Sequence, residues 1–390
     1  MRKTVPYGWD DPRTKRRVWQ LTNFKNGART GYFRMPRNVV DRTILIHANG
    51  GLCTLDVVSD GPFCGVTPPG TSYLKLYRSA AGGRESLHGN PQARLWLQRG
   101  REVWFTDLPG GEPELAARVP DDVPGAITDI TCDGQTVMLL EHQQDLTKYP
   151  PPTTKSARRF WSFINRPRQG RLWAYHIPTR KATLLVETDG VAPSHVDCSP
   201  KDPGLVRYCL DMYDAYGQRI WTVRTDGSAR KMIRPQERGE FITHEFWWSD
   251  ADLIGYTCQD RRRDATIEKK PWGEYSPCPT RLGVASARDG KEVYLSEPLN
   301  CYHSHLFVSP DGTWVCGEGT DGHSFVYAAP FSFDNRRIEM TPYATIHTPY
   351  VPFRGQMVDA GFTEDSRWLV FTDTVDRRLQ VCACTVGDRR

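Results

Sequence analysis

An all-β chain folded as a seven-bladed β-propeller is what this sequence predicts, and three observations predict it. Turn and breaker residues are abundant, with 33 glycines and 29 prolines in 390 residues. No sustained apolar stripe at the i, i+3, i+4, i+7 spacing of a helix runs through the chain, whereas short apolar runs of strand length recur between turn residues. Finally, one frame repeats: a small hydroxyl residue, an acidic turn, then an apolar strand. A unit of four strands takes about 40–50 residues, so seven units plus insertions fit this length.

In chain order, the strand-like residues 18–22 precede the units and are expected to help close the ring. The first unit, 31–67, holds the run Thr43, Ile44, Leu45, Ile46, His47. The second, 72–124, holds Glu102, Val103, Trp104, Phe105, Thr106. The third, 128–187, turns at Thr131, Cys132, Asp133, Gly134 before an apolar strand over 136–140. In the fourth, 195–234, Ser199, Pro200, Lys201 and Asp202 lead into a strand over 205–209. The fifth, 243–298, carries a weaker copy from Ser249 to Asp252. The sixth, 305–342, has Ser309, Pro310, Asp311, Gly312 before 314–317. The seventh, 356–386, has Thr363, Glu364, Asp365, Ser366 before a strand over 368–372. All of this reads as one propeller domain spanning residues 1–390. Residues 145–169, rich in Pro and Arg, read as a surface loop, and 261–279 as an insertion in the fifth unit. A pair of β-sandwiches is the competing all-β arrangement.

Composition narrows the function. Basic residues exceed acidic ones by 51 to 46, a net charge of +5 too small and too dispersed for nucleic acid, yet suited to a small anionic ligand. The one basic cluster, Arg261 to Arg263, reads as a solvated turn. No run of about 18 apolar residues exists, which argues against a spanning helix. The first ten residues lack an apolar segment, so no secretory signal is read and a cytosolic location is expected. Eleven cysteines without a CxxC pair read as buried reduced thiols, neither a disulfide framework nor a thiolate zinc site. Oligomeric state has no signature here.

Propeller blades begin with their innermost strand, and the residues entering it ring one mouth of the central channel. Four positions before the small residue of each frame stand His195, His305 and Asp359; in the Ser249 unit the position is Glu245, with His244 one step away. Imidazoles and carboxylates thus converge from units far apart in sequence. His305, Asp359 and the nearby amide Gln356 offer one nitrogen and two oxygen donors, a mix that suits Mn²⁺ or a similar divalent ion. His244 lies between aromatic positions and two acids. Desolvation lowers its pKa and the acids raise it, which predicts a base poised near neutrality.

These segments resemble the oligogalacturonate lyases, intracellular pectin-degrading propellers. The resemblance runs through 195–203, Gln218-Arg219-Ile220-Trp221, the fairly specific Thr243-His244-Glu245-Phe246-Trp247, 305–312 and 356–365. It implies a seven-bladed propeller that cleaves short uronide oligosaccharides or uronate glycosides by β-elimination. It implies His244 as base or proton shuttle, Arg219 as its partner against the uronate, and a Mn²⁺ on histidines and a glutamine, which maps onto His305 and Gln356. His195 would line the same funnel and touch the sugar. The family's closing blade carries a His-Pro-His run where this chain reads Asp359-Ala360-Gly361. Aspartate still binds Mn²⁺, but glycine offers no side-chain ligand, leaving fewer protein ligands, a different ion, or none. Two other readings stay open: a non-catalytic propeller binding a uronide or a protein partner, and a glycosidase using two of Glu240, Glu245 and Asp359.

Overall fold

Seven antiparallel sheets follow one another along the chain. The structure, a computed structural model, describes residues 7–31, 37–58, 64–65, 67, 70–78, 93–108, 111–143, 169–210, 218–237, 240–248, 252–260, 280–300, 303–319, 325–347 and 358–387. The first sheet joins β3 (Ala28–Thr30), β4 (Asn38–Val40), β5 (Thr43–Ala48), β6 (Gly51–Asp56) and β7 (Cys64–Gly65). The second holds β8 (Ser72–Arg78), β9 (Ala93–Arg99), β10 (Glu102–Leu108) and β11 (Glu114–Arg118). The third holds β12 (Ala126–Ile130), β13 (Thr136–Gln143), β14 (Gln169–His176) and β15 (Lys181–Thr188). Then come β16 (Pro193–Cys198), β17 (Leu205–Leu210), β18 (Ile220–Arg224) and β19 (Lys231–Met232), followed by β20 (Glu240–Trp247), β21 (Leu253–Asp260), β22 (Thr280–Ser286) and β23 (Glu292–Leu295). The sixth sheet is β24 (His303–Val308), β25 (Trp314–Gly319), β26 (Phe325–Pro330) and β27 (Thr341–Thr345).

The seventh sheet closes the ring with both ends of the chain. To β28 (Gly361–Phe362), β29 (Trp368–Val375) and β30 (Arg378–Thr385) it adds β2 (Arg17–Gln20) and β1 (Tyr7–Asp10), with Trp19 opposite Ala383 and Gln20 opposite Cys382. The expected N-terminal closing strand is therefore present. Gln380 holds the junction: its Oε1 accepts from Thr22 Oγ1 at 2.7 Å and Phe24 N at 3.2 Å, and its Nε2 donates to Phe24 O at 3.0 Å.

Two-residue periodicity explains the packing. Along β30, Val381 and Ala383 face the first blade, while Cys382 and Cys384 face the sixth. Each blade thus feeds two apolar layers. Among the described residues the layers number seven, one between every pair of consecutive blades, including Leu369 and Phe371 with Tyr343 between blades six and seven, and Val370 with Ile44 and Ile46 between seven and one. A closed ring of layers is what separates a propeller from the sandwich alternative. Eight cysteines among the described residues are free and buried, as expected.

The repeated frame is the hairpin between the first and second strands of a blade. Ser309 Oγ accepts from Trp314 N at 2.9 Å and donates to Asp311 Oδ1 at 2.6 Å, and Gly312 takes the left-handed φ of +72° that closes the turn. Thr131–Asp133 and Thr363–Asp365 repeat this geometry. The hairpin's backbone bond, Ser309 N–H to Trp314 O at 2.9 Å in the sixth blade, is matched in the fifth by Trp248 N–H to Leu253 O at 3.0 Å. The frame there is one residue earlier than the sequence reading has it. Most of 145–169, all of 261–279, and Gln356 lie outside the described residues.

Candidate functional site

Moving the fifth frame back by one residue puts His244, not Glu245, in line with His195, His305 and Asp359. The backbone agrees. All four are left-handed, with φ of +48° at His195, +53° at His244, +45° at His305 and +48° at Asp359. Three of them sit at register shifts in the innermost strand, between Ser194 and Asp197, Thr243 and Phe246, and Ser304 and Phe307. A bulge in a strand re-aims one side chain out of the alternation, and a non-glycine left-handed residue costs about 1–2 kcal/mol. The same displacement recurs in four adjacent blades, so these side chains emerge at one end of the ring.

His244 and His305 meet directly, their rings edge to face with centroids 4.6 Å apart. Thr257 Oγ1 donates to Thr243 O at 2.9 Å, so toward His244 Nδ1, 3.4 Å away, it is an acceptor. That arrangement leaves Nε2 as the basic nitrogen of the ring. Burial pushes the His244 pKa well below its ordinary 6.5, and the charges of His305 and Arg219 push the same way. The expected value near neutrality is therefore corrected downward. The acids do not compensate because both are committed to arginines: Glu245 as described next, and Glu240, whose Oε1 accepts from Arg234 Nη2 at 2.8 Å. That commitment also weakens a glycosidase built on these carboxylates, which needs one of them protonated.

Arg219 stands just before β18, and its Nε donates to Glu245 Oε2 at 2.9 Å. The pair belongs to a buried chain of alternating charge. Glu245 Oε1 lies 3.2 Å from Arg207 Nη1, Arg207 Nη2 donates to Asp197 Oδ2 at 2.5 Å, and Lys75 bridges Asp197 to Asp129. Three cations meet three carboxylates, each residue no more than 6% exposed. Burial alone would raise the Glu245 pKa, but Arg219 and Arg207 hold it well below the carboxylate range. This chain fixes Arg219 beside His244, and His195, half-buried, adds its field to both His244 and Glu245. Sequence reading missed Lys75, Asp129, Asp197 and Arg207. Their one signal is a charged residue inside an otherwise apolar strand.

On the other side of the rings, His305 Nδ1 and Glu318 Oε1 form a short contact, and burial of His305 is outweighed by that carboxylate, so the His305 pKa is raised. Glu318 Oε2 is buried without a hydrogen-bond partner in the structure. Asp359 is buried, and its carbonyl accepts from Arg37 Nη1 at 2.8 Å and Thr30 Oγ1 at 3.2 Å. Arg37 and Glu318 are further residues that sequence reading missed.

The manganese expectation can be tested on this donor set. Among the described residues no three His, Cys, Asp or Glu side chains group to hold a metal, and Gln356 lies outside them. His305 and Asp359 remain as two donors. At Gly361 an added Cβ would lie 3.1 Å from Arg37 Nη2 and 3.2 Å from its Cζ, so a side chain there would need the guanidinium to give by a few tenths of an ångström. The described residues do not fit a manganese site.

No protein-family model matches this chain. Among curated proteins, the oligogalacturonide lyase of Pectobacterium atrosepticum is 25% identical over 328 residues, covering 77% of this chain and 76% of that protein. The oligogalacturonate lyase of Dickeya dadantii is 23% identical over 327 residues, with the same coverage of 77% and 76%. Among solved structures, an oligogalacturonate lyase in complex with manganese superposes with a TM-score of 0.72 at 19% identity, over 98% of this chain and 96% of that one. An oligogalacturonate lyase from Vibrio parahaemolyticus gives 0.73 at 18% identity, over 99% and 98%. The structural likeness shows the shared fold. The chain is thus similar in sequence, and alike in fold, to oligogalacturonate lyases.

Proposed function

We propose that this protein is a lyase that cleaves short uronide oligosaccharides or uronate glycosides by β-elimination. The observation that carries the reading is His244: an imidazole held neutral, in a left-handed bulge, beside a guanidinium and a second imidazole. The relatives' activity on oligogalacturonides supports the substrate class.

In the step proposed, the lone pair of His244 Nε2 takes the C5 proton of the uronate. The C5–H electron pair becomes the C4=C5 double bond, and the C4–O4 pair leaves with O4, which accepts a proton. The proton taken from C5 is the one O4 needs, so the same imidazole serves both transfers. A proton on carbon next to a carboxylate is acidic only once the carboxylate charge is offset, and positive charge fixed in a buried site offsets it most strongly. Arg219, oriented by Glu245, supplies such charge next to His244. His195, half-buried and with the same left-handed φ, would contact the sugar. The step as written is carried by this chain's own side chains, since the described donors alone do not fit a divalent ion.

Absorbance at the conjugated-uronate band during incubation with digalacturonate and trigalacturonate tests the reading. A rise with the parent protein that falls about 1,000-fold in His244→Ala, with ligand binding retained by calorimetry, is the expected result. No rise with any uronide, alongside undiminished binding in both proteins, would replace the lyase with a binding module.

A further inference from the structure

We propose that Arg207 is a positioning residue for the elimination, acting on Arg219 through the Glu245 carboxylate that both arginines hold. This rests on the lyase reading above. Glu245 gives one oxygen to each arginine: Oε1 lies 3.2 Å from Arg207 Nη1, and Oε2 accepts from Arg219 Nε at 2.9 Å. A carboxylate facing one arginine tends to take a parallel fork, both oxygens on two N–H groups. With Oε1 on Arg207, Glu245 meets Arg219 through Oε2 and Nε instead. Its charge is also divided between two cations, so it offsets Arg219 less than a carboxylate given to Arg219 alone.

Arg207 is itself held rigidly. It lies in β17, fully buried, opposite Asp197 of β16 and Thr222 of β18. Its guanidinium forks, with Nη2 donating to Asp197 Oδ2 at 2.5 Å while Nη1 faces Glu245. Asp197 is fixed in turn by Lys75 on its other oxygen and by Trp247 Nε1, which donates to its carbonyl at 3.1 Å. Trp247 follows His244 and Glu245 on β20, so the fourth blade grips the bulge at Glu245 and the strand just past it at Trp247. Leu210 N donates to Arg219 O at 2.9 Å and sets the backbone there. Stability alone does not call for an arginine at 207. Desolvation offsets much of what a buried ion pair gains, and an apolar side chain of similar volume often serves as well. Arg207 Nε is moreover buried without a hydrogen-bond partner among the described residues. What the fixed guanidinium supplies is one orientation for the Glu245 carboxylate, and hence for the Arg219 nitrogen that meets it. A displacement of about 1 Å in such an arrangement costs about 100-fold in rate.

The test compares wild type with Arg207→Met, Arg207→Lys and a control, Arg101→Met, by urea unfolding and by kcat and KM on digalacturonate. Arg101 is the other arginine whose Nε is buried without a partner among the described residues, and it donates to the carbonyls of Pro120, Val123 and Gly125 beside the second blade. Both Met variants should unfold at lower urea, but only Arg207→Met should lose kcat, by about 100-fold with KM within about threefold. With substrate deuterated at C5, its isotope effect on kcat should exceed that of wild type, since proton transfer is the step that slows. Arg207→Lys keeps the charge without the fork, and its kcat should lie about tenfold below wild type. If Arg207→Met does not fold, Arg207→Lys decides: that tenfold loss at unchanged KM supports the inference, and wild-type kcat overturns it. Wild-type kcat in folded Arg207→Met, a loss carried wholly by KM, or an equal loss in Arg101→Met each overturns the inference while leaving the lyase reading in place. A wild type that turns over no uronide defeats the lyase reading, and the inference falls with it.

Discussion

The imidazole of His244 meets that of His305 edge to face, with centroids 4.6 Å apart and ring planes at 67°, across the gap between the fifth and sixth blades. Their surroundings pull the two rings apart chemically. His244 is driven toward the neutral form by burial and neighbouring positive charge, whereas Glu318 drives His305 toward the protonated form against its burial. Two titratable groups in contact thus have proton affinities pushed in opposite directions, and the one driven neutral is the one that feels the charge of Arg219.

The first prediction concerns pH. His244 has a folded pKa well below 6.5, so it stays a competent base as the solution is acidified. The kcat profile between about pH 5 and 8 should show no inflection near 6.5 from this residue, and the His244 ring resonances should stay at their neutral shifts over that range. The sign for stability follows from linkage. Unfolding frees a ring that binds a proton below 6.5, so this contribution is present above 6.5 and is lost as pH falls below it.

Removing the charge of Glu245 should be more damaging than its distance from the reacting atoms suggests. Glu245→Gln leaves Arg219 and Arg207 buried with one carboxylate fewer between them. Breaking a buried pair in this way costs about 3–5 kcal/mol, which urea unfolding will read as a lower midpoint with an unchanged slope. Turnover per folded molecule should fall as well, since Arg219 loses the partner that orients it.

Backbone strain at the channel mouth is separable from function at His195. With φ at +48°, His195→Gly should be about 1 kcal/mol more stable than His195→Ala, because only alanine retains a Cβ in the left-handed region. Both should bind digalacturonate more weakly than the parent and to a similar extent. Thermal melts and calorimetry on the pair check the two halves independently.

One buried amide reinforces the strand pairing that closes the ring. Gln380→Ala removes three buried hydrogen bonds to Thr22 and Phe24 at the seam where the N-terminal strands join the seventh blade. The loss should be about 3 kcal/mol, with the stranded Phe24 groups contributing most of it. Hydrogen exchange should show β1 and β2 opening before the other blades.

The sequence by itself determined the ring. Its frame of hydroxyl, acid and strand is a local hairpin whose bonds lie within about six residues, and alternation in strands such as β30 assigns each side chain to one of two interblade layers. Local rules of this kind are written residue by residue, so seven units and the N-terminal closing strand were legible. The same frame led to His195, His305 and Asp359, and adjacent to it His244. What it misplaced was the fifth blade by one residue, because Trp248 stands where the third, fourth, sixth and seventh blades have serine or threonine, and only the backbone bulge shows His244 in register. The partners of these residues were decided by tertiary structure alone. Arg37 against Gly361, Glu318 on His305, and the chain from Lys75 to Arg219 join residues brought together by the strand pairing within blades and by the closure of the ring. Buried charges find each other across those junctions because water is excluded there, and nothing in their sequence spacing records it.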